Sequence, residues 1–353
     1  MACRLLNFRV SKLLSSKKVI RNKEMNLYSG YLVTQERSFR NNFGRFLKTM
    51  KHRREIAGPE RQRRRSEWDN WNYNAELFAF SKRLSENISE DTLRWAFVHN
   101  SFIEKEEQKR KELDIPSQNV PLDLKSNAFL ITLGEEVTSN YLKRYLTHCF
   151  TKLPSEGILA LHDYLLSTEV LSHVSSNIGT YDLIFCAEYP PQNTTLADSL
   201  KAIVGSIAHD ISVSRAENFI LDFICPQLIG KDVFEIWDLE NPLGVLNGII
   251  QRHGLSECEP RLIFESGRNT IEAIYHVGLY LNKQYLGRGP GETLDIAVEM
   301  AAYDVLRRFF GIQDSSNPMS FGEKARLLDL SSVKMSPSVD EWILESLSQN
   351  SKE

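Results

Sequence analysis

The stretch KSNAFLITLGEEVTSNYL, residues 125–142, decides how this chain is read. Phe129, Leu130, Leu133, Val137 and Tyr141 recur at three- and four-residue intervals, the spacing of one helix face. Beside them stand Gly134, Glu135 and Glu136. A second stretch, LADSLKAIVG at 196–205, carries Asp198 and, three residues on, Lys201. Residues three or four apart share a helix face, so this acid and this lysine are expected to point the same way. Outward from these two stretches the helical period continues. Leu77, Phe80 and Leu84 repeat it. Ser89, followed by Glu90 and Asp91, reads as an N-terminal cap, and 138–150, 155–166 and 216–224 repeat the period again. Alternating β-branched runs are few between 74 and 227, which predicts a mostly α-helical domain there.

From Asn241 the pattern changes. Asn241-Pro242 opens a short helix that His253-Gly254 ends. Three short strands are expected at 261–265, 272–281 and 283–287, with turns at 265–269 and 282–283. Thr293 or Asp295 then caps a last helix through Ala297, Ala301, Ala302, Val305 and Phe309, closed by Gly311. Beyond it lies a Ser-rich tail with an amphipathic stretch at 339–347, expected to dock on a partner or to be disordered.

The chain has 353 residues, enough for about two domains, and its 42% hydrophobic content allows a packed core. No run of eighteen apolar residues occurs, so no membrane-spanning helix is expected. Cys3, Cys149, Cys186, Cys225 and Cys258 are scattered without a CxxC pair. That argues against a zinc site or a disulfide framework and favours a reducing compartment.

The net charge of −3 hides an asymmetry. Residues 1–65 hold 18 Lys and Arg against 4 Asp and Glu, and the rest is acidic. The first acid is Glu24. The basic, Ser-containing, amphipathic start fits a mitochondrial transit peptide over about residues 1–30; a basic tail is the alternative. Residues 31–70 read as a basic arm, with Arg53, Arg54, Arg63, Arg64 and Arg65 interleaved with or followed by Phe39, Phe43, Phe46, Trp68 and Trp71. Cations release phosphate counterions and aromatics stack on unpaired bases, so RNA contact is expected; a solvated charge run fits the same composition. The histidines show no HxxxH or HExxH spacing.

The two opening stretches, preceded by AFVHNSF at 96–102, resemble in order and spacing the signatures of ribonuclease III domains. In that family, acids of two helices hold Mg²⁺ for phosphodiester cleavage. The resemblance carries the last acid of the first signature onto Glu135, and puts Ile131 and Ala128 where the family has glutamates. In the second signature Asp198 matches, and Lys201 stands where the family has Glu. The catalytic set is therefore expected to be vestigial, with no metal and no cofactor, and Lys201 to pair with Asp198 or Glu135. The family usually dimerises near the first signature helix. The stripe at 129–141 thus fits a homo- or heterodimer, though it is equally explained as internal core.

The second half is similar to a double-stranded-RNA-binding domain of αβββα order. The resemblance implies RNA contacts at Gln251, Arg252, Arg288, Gly289, Gly291 and Thr293. The family's lysine positions are Leu294, Asp295 and Val298, which predicts weak affinity for duplex RNA.

The expected architecture is then multidomain: an all-helical ribonuclease-III-like domain at 71–230, an αβββα domain at 240–312 and a tail at 313–353. Leader, degenerate nuclease domain and degenerate RNA-binding domain in this order resemble a family of ribonuclease-III-like proteins of the mitochondrial large ribosomal subunit. The resemblance implies a structural constituent of that particle, in contact with ribosomal RNA and neighbouring subunit proteins. An active mitochondrial endoribonuclease and a free RNA-binding regulator are the alternatives.

Overall fold

A computed structural model describes residues 29–58, 64–113, 124–268, 270–313, 319–330 and 334–342, with side chains from residue 43 onward. The expected leader up to residue 28, Arg63, Asn269 and the end of the amphipathic stretch at 343–347 lie outside the described residues. The chain divides into two compact units, residues 1–63 and 64–353. In the first, α1 (Ser29–Ala57) is a single helix in the basic arm. Charge dominated the sequence reading there, yet Phe39, Phe43, Phe46, Leu47 and Met50 keep helical spacing. Phe43, Phe46, Leu47 and Ile56 are exposed on it.

The second unit begins with α2 (Tyr73–Leu84), α3 (Glu90–Ala96), α4 (Asn100–Glu112), α5 (Ala128–Cys149), α6 (Ser155–Leu166), α7 (Thr168–Ile178), α8 (Asn193–Asp210), α9 (Val213–Phe223) and the single turn α10 (Val233–Ile236). Caps set these limits. Asn72, Ser89, His99, Ser167 and Ser212 each accept a first-turn backbone N–H, which would otherwise lack an intrahelical partner. Ser85 and Gly179 end α2 and α7 in the left-handed conformation.

The two signature helices, α5 and α8, form the centre. Leu196, Leu200, Ile203, Val204 and Ile207 of α8 are buried, and so are Leu130, Val137, Tyr141, Leu142, Tyr145 and Leu146 of α5. The stripe at 129–141 is therefore mainly internal core. Of its members only Phe129 is largely exposed, and it stacks on Trp95. The buried hydroxyls of Ser199 and Ser206 donate to Thr195 O and Ile203 O, so the helix carries them inside without an unpaired donor.

α5 and α8 cross backbone to backbone. A Cβ placed on Gly134 would lie 1.9 Å from Lys201 O, and one on Gly205 would lie 2.0 Å from Leu130 O. Each signature glycine is thus the gap into which the other helix fits.

The second half of this unit is α11 (Pro242–Arg252), β1 (Glu259–Ser266), β2 (Ile274–Leu281), β3 (Gln284–Gly291), α12 (Leu294–Phe309) and the turn α13 (Glu323–Arg326). The sheet is antiparallel in the order β1-β2-β3. Asn282 and Lys283, both with positive φ, make the two-residue hairpin between β2 and β3. β3 runs on to Gly291, four residues beyond the expected 283–287, so Gly289-Pro290-Gly291 is strand and not loop. The reason is helix packing. A Cβ on Gly289 would lie 2.2 Å from Ala301 N, and one on Gly291 would lie 2.4 Å from Ala297 N. Glycines on the strand and alanines on α12 let the two backbones touch.

Aromatic rings join the two halves. Phe234 contacts Trp237, Tyr303 and Phe310, Tyr303 Oη donates to Leu239 O, and Arg307 pairs with Asp232. The tail closes back on the same place. Trp342 is buried against Phe309 and Phe310 and donates from Nε1 to Lys152 O. The start of the amphipathic stretch thus docks on its own chain.

Candidate functional site

The segment 96–102 is pinned before it reaches the signature helices. His99 N donates to Phe185 O, Phe185 N donates to Phe97 O, and Asn127 N donates to Val98 O. Asn127, buried ahead of α5, also donates from Nδ2 to Ala96 O. This brings His99 to the face of α8 that bears Asp198. His99 Nδ1 accepts from Ser101 N at 3.3 Å and lies 2.8 Å from Ser101 Oγ. Nε2 lies 3.8 Å from Asp198 Oδ2. Histidine spacing gave no sign of this pairing, because the partner lies ninety-nine residues further along the chain.

Lys201 resolves the choice the sequence left open. Its Nζ is 3.3 Å from Glu135 Oε2, and the ammonium side chain is 19% exposed while Glu135 is 53% exposed. Ile131 packs with the buried trio Ala96, Leu130 and Ala202. Glu136 lines a shallow groove with Glu135, Thr132, Ser139, His162 and Asp163.

Mg²⁺ asks for several oxygen ligands arranged around one point. Here one matching carboxylate is paired with a lysine, the other faces a histidine, and an isoleucine lies in an apolar cluster. Among the described residues no group of three or more His, Cys, Asp or Glu is placed to hold a metal ion. The residues present do not fit the ion, and no metal-assisted step follows from them.

Asp210, at the far end of α8, accepts from Ser89 N, Ser89 Oγ, Thr92 Oγ1 and His209 Nδ1, and so ties the start of α3 to α8. Burial alone would raise its pKa, but these hydrogen bonds outweigh burial and hold the carboxyl below its ordinary value. A depressed folded-state pKa contributes stability above the unfolded value, and that contribution is lost as pH falls through the folded value. Asp210→Asn should therefore lower stability at neutral pH and flatten its decline below about pH 4. Urea midpoints measured between pH 3 and 7 check this; parallel curves for variant and parent would refute it.

The expected RNA contacts fall into two groups. Several are engaged within the chain. Arg64 donates to Cys186 O at 2.9 Å and lies over Tyr189, and Gln251 donates to Glu257. Arg252 donates to Val339 O and meets Asp340. Gly289 is buried, Gly291 lies against α12, and Thr293 Oγ1 caps α12 by accepting from Ile296 N. Packing accounts for these residues. The other group is open to solvent: Arg53 and Arg54 on α1, Arg65 beside Trp68 and Trp71, and Arg288 on β3. At the lysine positions of the RNA-binding domain, Leu294 and Asp295 are exposed and Val298 is half-buried.

Residues 72–207 match the family description "Large ribosomal subunit protein mL44, endonuclease domain", and residues 237–343 match "MRPL44 dsRNA-binding domain". The second match takes in Trp342. The large ribosomal subunit protein mL44 of Caenorhabditis elegans is 34% identical over 282 residues, 79% of this chain and 70% of that protein. Ribonuclease 3 of Borreliella burgdorferi is 26% identical, over 65% of this chain and 90% of that protein. A solved nuclease domain of ribonuclease III from Campylobacter jejuni covers 45% of this chain and 98% of its own, at 19% identity and a TM-score of 0.36. The identity to the nematode protein, together with two family matches in the same order, shows that this chain belongs to the mL44 family of large ribosomal subunit proteins.

Proposed function

We propose that this chain is a structural constituent of the mitochondrial large ribosomal subunit, and that its nuclease fold binds and does not cut. The observation that carries the first part is the likeness to a large ribosomal subunit protein over 79% of the chain. The second part rests on the Lys201–Glu135 pair and on Ile131 within an apolar cluster, which occupy the place of a metal centre. Domains at about 71–230 and 240–312 with a tail at 313–353 remain the proposed division, the tail packing against both of them.

RNA contact is assigned to the solvent-facing cations Arg53, Arg54, Arg65 and Arg288. With an aspartate in place of a phosphate-binding lysine, the αβββα domain supplies little affinity by itself, and the assembled particle supplies the rest by holding several weak contacts together. Neighbouring subunit proteins are the other partners. The stripe at 129–141 is core apart from Phe129, so a homo- or heterodimer through the ribonuclease-III-like domain would have to use other surfaces of it.

Two measurements test the reading. Tagged full-length chain should co-sediment with the large ribosomal subunit from mitochondrial lysate at high salt; recovery only at the top of the gradient would overturn the structural role. Purified chain with Mn²⁺ and duplex RNA should show no turnover above a blank, and Asp198→Ala should change nothing. Cleavage abolished by Asp198→Ala would establish the endoribonuclease alternative.

A further inference from the structure

β1 is the strand that the fold leaves uncovered. α12 lies against β3 and β2, and all eight residues of β1 are exposed. Leu262 is 48%, Ile263 50% and Phe264 56% exposed, and Ile274 across the hairpin and Ile271 in the turn are exposed as well. Ile263 reaches over Gly278, where a Cβ would lie 2.7 Å from its Cδ1, and the Phe264 ring lies beside His276. β1 is also an outer strand, paired with β2 only. Among the described residues no strand meets its other edge, so that edge carries backbone N–H and C=O groups without a sheet partner.

Natural sheets guard such edges with lysine, proline or a bulge. Here Pro260 guards one end, and a register shift lies between Leu262 and Phe264. The shift falls within the apolar run Leu262-Ile263-Phe264 itself, and none of these three positions is a lysine.

The chemistry of this edge selects its occupant. Glu257, Glu259, Glu265 and Glu272 surround it, against Arg261 and Arg268. Each arginine is paired with a glutamate of the same hairpin, Arg261 with Glu259 and Arg268 with Glu265. A surface with an acidic balance does not attract phosphate, so RNA is a poor fit. Free strand-edge groups beside apolar side chains match an extended polypeptide instead.

We infer that the β1 edge docks a short extended segment of another large-subunit protein, apolar at the centre and flanked by Lys or Arg. The source of that partner rests on the ribosomal reading proposed above.

The test places a photo-crosslinking amino acid at Phe264 in the full chain and analyses isolated large subunits. A crosslink to one segment of a large-subunit protein, apolar between basic residues, is expected. Leu262→Lys combined with Ile263→Lys should lower its yield by about tenfold or more, from the lost burial of two aliphatic side chains. Both positions are exposed, so the fold should survive, and the melting curve of the free variant checks that. A second measurement needs no substitution: β1 amides should exchange at least about tenfold more slowly in the particle than in the free chain. A crosslink to RNA, a crosslink to a second copy of this chain, or unchanged exchange in particles that contain the chain overturns the inference and leaves the ribosomal reading intact. Absence of the chain from the particle removes both.

Discussion

Gly134→Ala and Gly205→Ala should each lower the stability of the second unit by about 3 kcal/mol or more, at the upper end of overpacking costs. Alanine is ordinarily the better helix former, by about 0.5–1 kcal/mol over glycine in a helix interior. A loss on adding one methyl group is therefore diagnostic of the crossing. The new carbon would sit about as close as 1.9 Å to the backbone of Lys201 or 2.0 Å to that of Leu130, and a main chain cannot swing aside as a side chain can. The two helices would have to part along the centre of the core. Gly248→Ala supplies the contrast. In α11 a Cβ there meets only the Arg252 guanidinium at 3.8 Å, so the change should raise stability slightly. Thermal unfolding by circular dichroism separates the cases, at roughly 2–4 °C for each kcal/mol. The double variant should fall short of the sum, because both substitutions open the same crossing. A neutral Gly134→Ala would mean that the contact is not tight.

The second large effect is expected at Trp342. Its ring covers Phe309 and Phe310 at the end of α12, and its Nε1 donates at 2.7 Å to Lys152 O in the link between α5 and α6. One residue of the tail thus touches both halves of the unit. Trp342→Ala removes the ring and leaves a carbonyl without its donor, which together cost about 3–5 kcal/mol. Trp342→Phe keeps an aromatic filler and loses only the hydrogen bond, about 1 kcal/mol. Denaturant midpoints for the two variants should keep that order, and equal midpoints would reduce Trp342 to a surface contact. Truncation before residue 339 should resemble Trp342→Ala and also release Arg252, which Val339 O and Asp340 hold.

Helical periodicity, caps and turns were legible from sequence, since each depends on residues only a few positions apart. The Ser89 cap, the helix at 155–166 and the positive-φ turn at Asn282-Lys283 all show this. Choices that depend on distant partners were not legible. Whether Lys201 meets Glu135 or Asp198 is fixed by how α5 crosses α8, and the role of His99 is fixed by the strand-like contact of Val98 with Phe185. The stripe at 129–141 could face a core or a second molecule because periodicity reports a face and not what covers it. The same limit applied to arginines. Arg64 looked like the rest of its basic run, and only the fold turned it inward to the carbonyl of Cys186. The GxG before α12 followed a motif associated with phosphate, while its glycines serve the approach of one backbone to another.

The Lys201–Glu135 pair has a consequence for solution conditions. A cluster of five carboxylates, the set the family resemblance implies, repels the phosphate backbone whenever its metal is absent, so such a surface approaches RNA only with divalent ions at hand. Exchanging one carboxylate for an ammonium and two for hydrocarbon removes most of that negative charge without importing an ion. Glu135, Lys201 and Asp198, with His99 beside it, thus need no divalent ion between them to offset their charge.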